Sequence, residues 1–129
     1  MISKFSFPTT IHFGPGARRM VAEHLKEHGV KRPLIVTDKG LATLPILKEF
    51  VEGLAGIPVQ VYSGVHGNPT KQQVDDGAKA FKAHHADAVI GFGGGAALDV
   101  AKAVALMAVH EGNVLEYAWD HPNVRPITN

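Results

Sequence analysis

The chain has 129 residues, a formal net charge of +1 and no cysteine, with 45% hydrophobic and 19% charged residues. That length holds one compact domain with a core, and the composition is that of an ordinary soluble globular protein. The near-neutral balance leaves no electrostatic footprint for nucleic acid or an anionic membrane, and the lack of cysteine excludes disulfides, thiolate metal sites and a cysteine nucleophile. A cysteine-free chain fits a cytoplasmic setting. No apolar run reaches the length of a membrane span, and Met1–Phe7 lacks the apolar stretch of a secretory leader.

Short apolar runs alternate with helical periodicity along the chain. Thr10–Phe13 reads as a short strand closed by Gly14-Pro15-Gly16. A helix is expected over Ala17–His28, with Ala17, Met20, Val21 and Leu25 on one face and Gly29 ending it. Leu34–Thr37 is continuously apolar, the pattern of a strand buried on both faces. A second helix is expected over Leu44–Leu54, with Pro45 in its first turn. Val59–Tyr62 reads as the next strand, and Gly64, Gly67, Asn68 and Pro69 mark a loop.

Thr70-Lys71-Gln72-Gln73 fits a capping box that opens a third helix to His84. Ala88–Phe92 reads as another strand. The fourth helix, Ala96–His110, carries Leu98, Val100, Val104, Leu106, Met107 and Val109 almost all round its circumference. Such a helix is expected to be buried rather than to lie on the surface. Asn113–Ala118 predicts one more helical turn, and the stretch after it, Asp120–Asn129, reads as a polar loop.

Strands alternating with helices imply βαβ units: an α/β, Rossmann-like parallel sheet with helices on both faces. Ligands of such sheets bind at the carboxyl ends of the strands. The loops after Thr37, Tyr62 and Phe92 all lie at carboxyl ends, and so are expected to share one cleft.

Gly93-Gly94-Gly95-Ala96 stands between an apolar strand and an apolar helix. Glycines there let a phosphate approach the backbone, and the helix start offers free N–H groups and a favourable dipole. The same residues also suit a tight strand-to-helix turn. From Gly91 the spacing satisfies G-x-G-x-x-A, although the ordinary dinucleotide fingerprint opens the first βα turn and these glycines follow a late strand. Asp38, at the end of its strand, can accept hydrogen bonds from ribose hydroxyls and would repel a 2′-phosphate, favouring NAD over NADP. It can equally serve as a turn residue that bonds nearby backbone. Asn68 can bond a ligand or stabilise a turn. Asp99 and Lys102 are three residues apart and can pair, with Asp99 within reach of a ligand held over the glycines.

Among eight histidines, His24 and His28 have the four-residue spacing of a helical zinc pair, but the spacing shows no third ligand. They are read as decorating an exposed face, and no metal site is expected in this chain. There is no G-x-S-x-G elbow and no Walker A lysine motif.

Four segments, in order, resemble the iron-containing alcohol dehydrogenase family. Phe7-Pro8-Thr9-Thr10-Ile11-His12-Phe13-Gly14-Pro15-Gly16-Ala17 is similar to its N-terminal strand and turn. Leu34-Ile35-Val36-Thr37-Asp38-Lys39-Gly40 is similar to its first nucleotide-binding strand. Tyr62–Thr70 ends in its Asn-Pro-Thr. Gly93-Gly94-Gly95-Ala96-Ala97-Leu98-Asp99-Val100-Ala101-Lys102 follows its Gly-Gly-Gly-Ser-x-x-Asp-x-x-Lys signature, with Ala96 in place of the serine.

The resemblance implies an N-terminal domain that binds NAD(P). It also implies an all-helical domain carrying iron or zinc on one Asp and three His, and hydride transfer between a primary alcohol or aldehyde and NAD. By carry-over, Gly94, Gly95 and Ala96 would contact the pyrophosphate, Asp38 the adenosine ribose, and Asn68 and Asp99 the cofactor cleft, with Gly93 and Ala97 also counted as cofactor-binding. Loss of the serine hydroxyl is expected to weaken that binding without abolishing it. Residues 1–129 are then an incomplete dinucleotide-binding domain that stops before the metal domain, expected to be inactive alone and to belong to a homodimeric enzyme. Other enzymes on the same scaffold, a polyol dehydrogenase or a maleylacetate reductase, remain open, as does a nucleotide-binding module without catalysis.

Overall fold

The computed structural model describes residues 9–54 and 56–128. A 3-10 turn, Ala17–Met20, runs into α1, Val21–Glu27. Then follow β1, Pro33–Asp38; α2, Pro45–Gly53; β2, Gln60–Val65; α3, Lys71–Ala83; β3, Ala88–Phe92; and α4, Gly95–Val109. A 3-10 turn at Val114–Tyr117 supplies the expected last helical segment.

The sheet is parallel, in the order β2-β1-β3, so β1 is central. This position explains its unbroken apolar run. Leu34, Ile35, Val36 and Thr37 are all at 0% exposure, because both faces of β1 are covered. Alternation along the strand sends Leu34 and Val36 into a core with Val74, Ala78, Val100 and Val104 of α3 and α4. Ile35 enters the opposite core with Leu25, Leu47, Phe50 and Leu54, from α1 and α2 and the residue after α2. Helices therefore lie on both faces, as the alternating pattern requires.

β1 and β3 pair without interruption from Pro33↔Ala88 to Thr37↔Phe92. The buried Thr37 hydroxyl donates to the Phe92 carbonyl at 2.7 Å. On the other side the register slips: Val36 pairs with Tyr62, yet Asp38 pairs with Val65. One residue of β1 thus faces two of β2, a bulge at Ser63-Gly64. The slip carries β2 to Val65 and lets the Lys39 N–H donate to the Val65 carbonyl at 3.0 Å.

Two sequence expectations fail. Thr10–Phe13 is not a strand; Ile11 is 75% exposed and Phe13 fully so. Its pattern is adequate, but it finds no ladder partner among the described residues, and an unpaired strand is not stable in water. Nor is α4 buried all round. Ala97, Val100, Ala101, Val104 and Met107 form its inner face, while Leu98 is 41% and Val109 74% exposed. A uniformly apolar sequence hides which face a two-layer contact will cover.

A cleft at the carboxyl ends of the three strands

Asp38–Gly40, Val65–Gly67 and Gly94–Ala97 line one cleft of about 370 Å³. These are the loops after β1, β2 and β3, gathered at one end because the strands are parallel. Asp38, Gly94, Gly95, Ala96 and Ala97 were each singled out from the sequence, and they meet here. Gly93 lies directly beneath: a Cβ on it would stand 3.1 Å from Asp38 Oδ2, 3.1 Å from the Ala97 Cβ and 2.9 Å from Leu41 Cδ1. Its φ of +141° is also one that side chains rarely adopt. Gly93 is thus required by the fold itself.

Gly94 and Gly95 differ from it. Neither has a positive φ, and a Cβ on either would meet nothing within 4 Å. The protein's own packing does not call for glycine at these two positions. What glycine keeps there is open space above the backbone at the start of a 15-residue helix. Gly94 is the N-cap and brings no side chain to cap α4, whose first N–H to reach an i−4 carbonyl is that of Leu98, bonded to Gly94 at 3.1 Å. The N–H groups of Gly95, Ala96 and Ala97 lie ahead of it, at the positive end of the helix dipole. In α3 the same end is closed, with the Thr70 hydroxyl accepting from the Gln73 N–H and the Gln73 side chain accepting from the Thr70 N–H. An uncapped, glycine-lined helix start is suited to an anion.

The turn reading of Asp38 holds in the structure. Its Oδ1 accepts the Leu41 N–H at 2.8 Å, a turn bond, while its Oδ2 sits over Gly93 at the floor of the cleft. The turn bond fixes the carboxylate there.

Lys39, Gly40, Val65, His66 and Gly67 line the cleft without having been singled out. The bulge in β2 brings Val65 and His66 level with Asp38, a register detail that sequence patterning does not carry. Gln73, 4% exposed, holds this wall: its Nε2 donates to the His66 carbonyl at 2.8 Å. Behind it the Tyr62 hydroxyl donates to the Gln73 carbonyl at 2.9 Å. Burial, with the Asp76 carboxylate second, pushes the Tyr62 hydroxyl above its ordinary pKa and keeps it a donor. His66 Nδ1 lies 3.0 Å from the Gly64 carbonyl, so it carries the proton.

Asn68 and Asp99 are not among the lining residues. Asn68 is exposed, one residue beyond Gly67. Asp99 is exposed and its Oδ1 lies 3.7 Å from Lys102 Nζ, the ion pair that the three-residue spacing allows.

The profile of the iron-containing alcohol dehydrogenases matches residues 8–128. The 1,3-propanediol dehydrogenase of Citrobacter freundii is 39% identical over 129 aligned positions, covering 93% of this chain and 32% of its own. The choline dehydrogenase of Bacillus subtilis is 36% identical over 115 positions, covering 88% of this chain and 29% of its own. Among solved structures, the sulfoacetaldehyde reductase of Bifidobacterium kashiwanohense in complex with NAD+ superposes with a TM-score of 0.84 at 25% identity, over 93% of this chain and 32% of that one. The chain spans about a third of the length of these relatives. With a family match over nearly its whole length and a parallel sheet that gathers the expected glycine turn and Asp38 into one cleft, this chain belongs to the iron-containing alcohol dehydrogenase family.

Proposed function

We propose that residues 1–129 form the dinucleotide-binding part of an NAD-dependent alcohol dehydrogenase. In this reading the pyrophosphate lies against the start of α4 and the adenosine ribose against Asp38. The observation that carries it is the contrast between Gly93, which the fold requires, and Gly94 and Gly95, which it does not. Room has been kept at a helix start where the protein itself has no use for it, and an anion is what that start attracts. The Asp38 carboxylate, placed at the end of β1, supports NAD over NADP because it would repel a 2′-phosphate. The relative crystallised with NAD+ supports the same cofactor.

NAD, when bound, supplies the hydride acceptor for oxidation of an alcohol to an aldehyde. The residues of this chain bind and orient it: α4 holds the anion, Asp38 the ribose, and the His66–Gly67 wall closes one side. The cleft brings together one carboxylate and one imidazole, Asp38 and His66, which is too few donors for an iron or zinc centre. Metal dependence of the enzyme therefore rests on family membership, and no step is assigned to a metal held in this cleft. Homodimer formation is supported by exposed apolar side chains such as Phe13, Leu115 and Trp119, which call for cover. A cytoplasmic location rests on the cysteine-free sequence, and no described helix is long and apolar enough to cross a membrane.

Calorimetric titration with NAD and, separately, NADP tests the proposal. Binding of NAD that is lost in Asp38→Ala is the expected result. Tighter binding of NADP would overturn the role given to Asp38, and binding of neither would overturn this cleft as a cofactor site in the chain as it stands.

A further inference from the structure

A second group of chemically capable side chains lies away from the cleft, on α1. His24, Glu27 and His28 each present one ligand atom, and these three atoms lie within 4.8 Å of one another. The four-residue spacing of the histidines shows two ligands. The helix adds the third, because position 27 shares the face of position 24 at i+3. All three side chains are exposed, so a metal can reach them and their desolvation is small.

The geometry points to a site for a divalent transition metal of the zinc, nickel and copper class on this face of α1. Two imidazoles and a carboxylate are the donors that class takes, whereas calcium and magnesium prefer all-oxygen sites. His28 Nδ1 lies 2.9 Å from the His24 carbonyl. A carbonyl only accepts, so Nδ1 bears the proton and Nε2 keeps its lone pair for a metal. This second contact also orients the ring, as the outer hydrogen bond of a metal-binding histidine does. The two rings already lie side by side, with centroids 4.1 Å apart.

Metal–ligand bonds of about 2.1 Å place tetrahedral donors roughly 3.4 Å apart, so rotamer adjustments of up to about 1.5 Å close the site. Arg18, the cation lining the adjoining cavity of about 510 Å³, is directed at Glu49 at 3.4 Å. Glu23 and His12 line the same cavity as His24 and Glu27.

Titration of the tag-free chain with zinc chloride, by calorimetry and by the zinc-induced rise in unfolding temperature, tests this. One metal per chain is expected, with a Kd of the order of 10 µM for three exposed ligands. His24→Gln, which leaves the backbone acceptor of His28 in place, is expected to weaken binding about tenfold or more, and His28→Ala likewise. Glu27→Gln should give a smaller loss. Circular dichroism of each variant verifies that the exposed substitutions leave the fold intact. Zinc binding that is unchanged in the His24→Gln, His28→Ala double variant would assign the metal to other histidines and overturn the site. So would the absence of zinc-induced heat and stabilisation in the unaltered chain, or binding only at several weak, non-integral equivalents.

Discussion

The Asp38 carboxylate stands 3.1 Å from the point a Cβ would occupy on Gly93, so the two are too close at the floor of the cleft unless one gives way by a few tenths of an ångström. Gly93→Ala must therefore move Asp38 or Leu41 while also holding a side chain at φ +141°. We expect a loss of about 1–3 kcal/mol in stability, the usual range for a strained backbone position. Chemical denaturation is the measurement, and a variant as stable as the parent would show that the turn relaxes freely.

Gly94→Ala and Gly95→Ala are expected to do the opposite. Neither Cβ meets anything; at Gly95, inside α4, alanine is no worse than glycine, whereas at the N-cap Gly94 it caps less well, at a cost of roughly 0.5 kcal/mol. Stability should hold within about 0.5 kcal/mol. NAD binding should nonetheless fall about tenfold or more for at least one of them, because the methyl fills the approach to the N–H groups of α4. If both variants bind NAD like the parent, the anion does not sit at this helix start.

Asp38→Asn separates the two tasks of that side chain. The amide oxygen can still accept from Leu41, so the turn should persist, while the charge facing a 2′-phosphate is gone. NADP affinity relative to NAD should rise about tenfold, less than a bare Coulomb estimate because the site is open to water. Parallel titrations with the two cofactors decide it. An unchanged ratio would mean that selectivity resides elsewhere in the cleft.

These experiments also mark what the sequence could and could not reveal. Asp38 and the three glycines are legible because they punctuate an apolar strand or strand–helix junction. Lys39 and His66 are not, since their place at the cleft depends on the one-residue slip between β1 and β2. The faces of α4 were hidden by its uniform apolarity, and Thr10–Phe13 has a strand's pattern with no described partner. Glu27 joins the histidines only once α1 is in view, where its carboxylate lies within 4.8 Å of their ligand atoms.

Gln73 tests the wall of the cleft. Its buried amide serves the Thr70 N–H and the His66 carbonyl at once, joining the start of α3 to the loop before it. Gln73→Leu keeps much of the side-chain volume but releases both partners. A loss of about 0.5–1.5 kcal/mol is expected, the net worth of hydrogen bonds whose partners, on the exposed His66 and Thr70, can turn to water. Proton exchange at the His66–Thr70 amides should speed up more than at β1. Uniform acceleration throughout the sheet would instead mark Gln73 as a global stabiliser.

Asp87 provides a pH-dependent test away from both sites. Slight burial raises its pKa, but N–H donors from Lys31 and Arg32, each at 2.8 Å, outweigh this and hold the carboxyl below its ordinary value. The carboxylate ties the connection before β1 to the one before β3, and the Asp87 N–H returns a bond to the Arg32 carbonyl at 3.1 Å. A group whose pKa is lower when folded stabilises above its unfolded pKa, and that contribution is lost as pH falls through the folded value. Stability should therefore decline from about pH 4 downward. Asp87→Asn should be less stable at neutral pH, since an amide can offer an acceptor to only one of the two N–H groups. Its stability should also fall less steeply below pH 4, because the titrating carboxyl is gone. Urea midpoints measured from pH 7 to pH 2.5 compare the two slopes. Identical slopes would show that other carboxylates govern the acid transition.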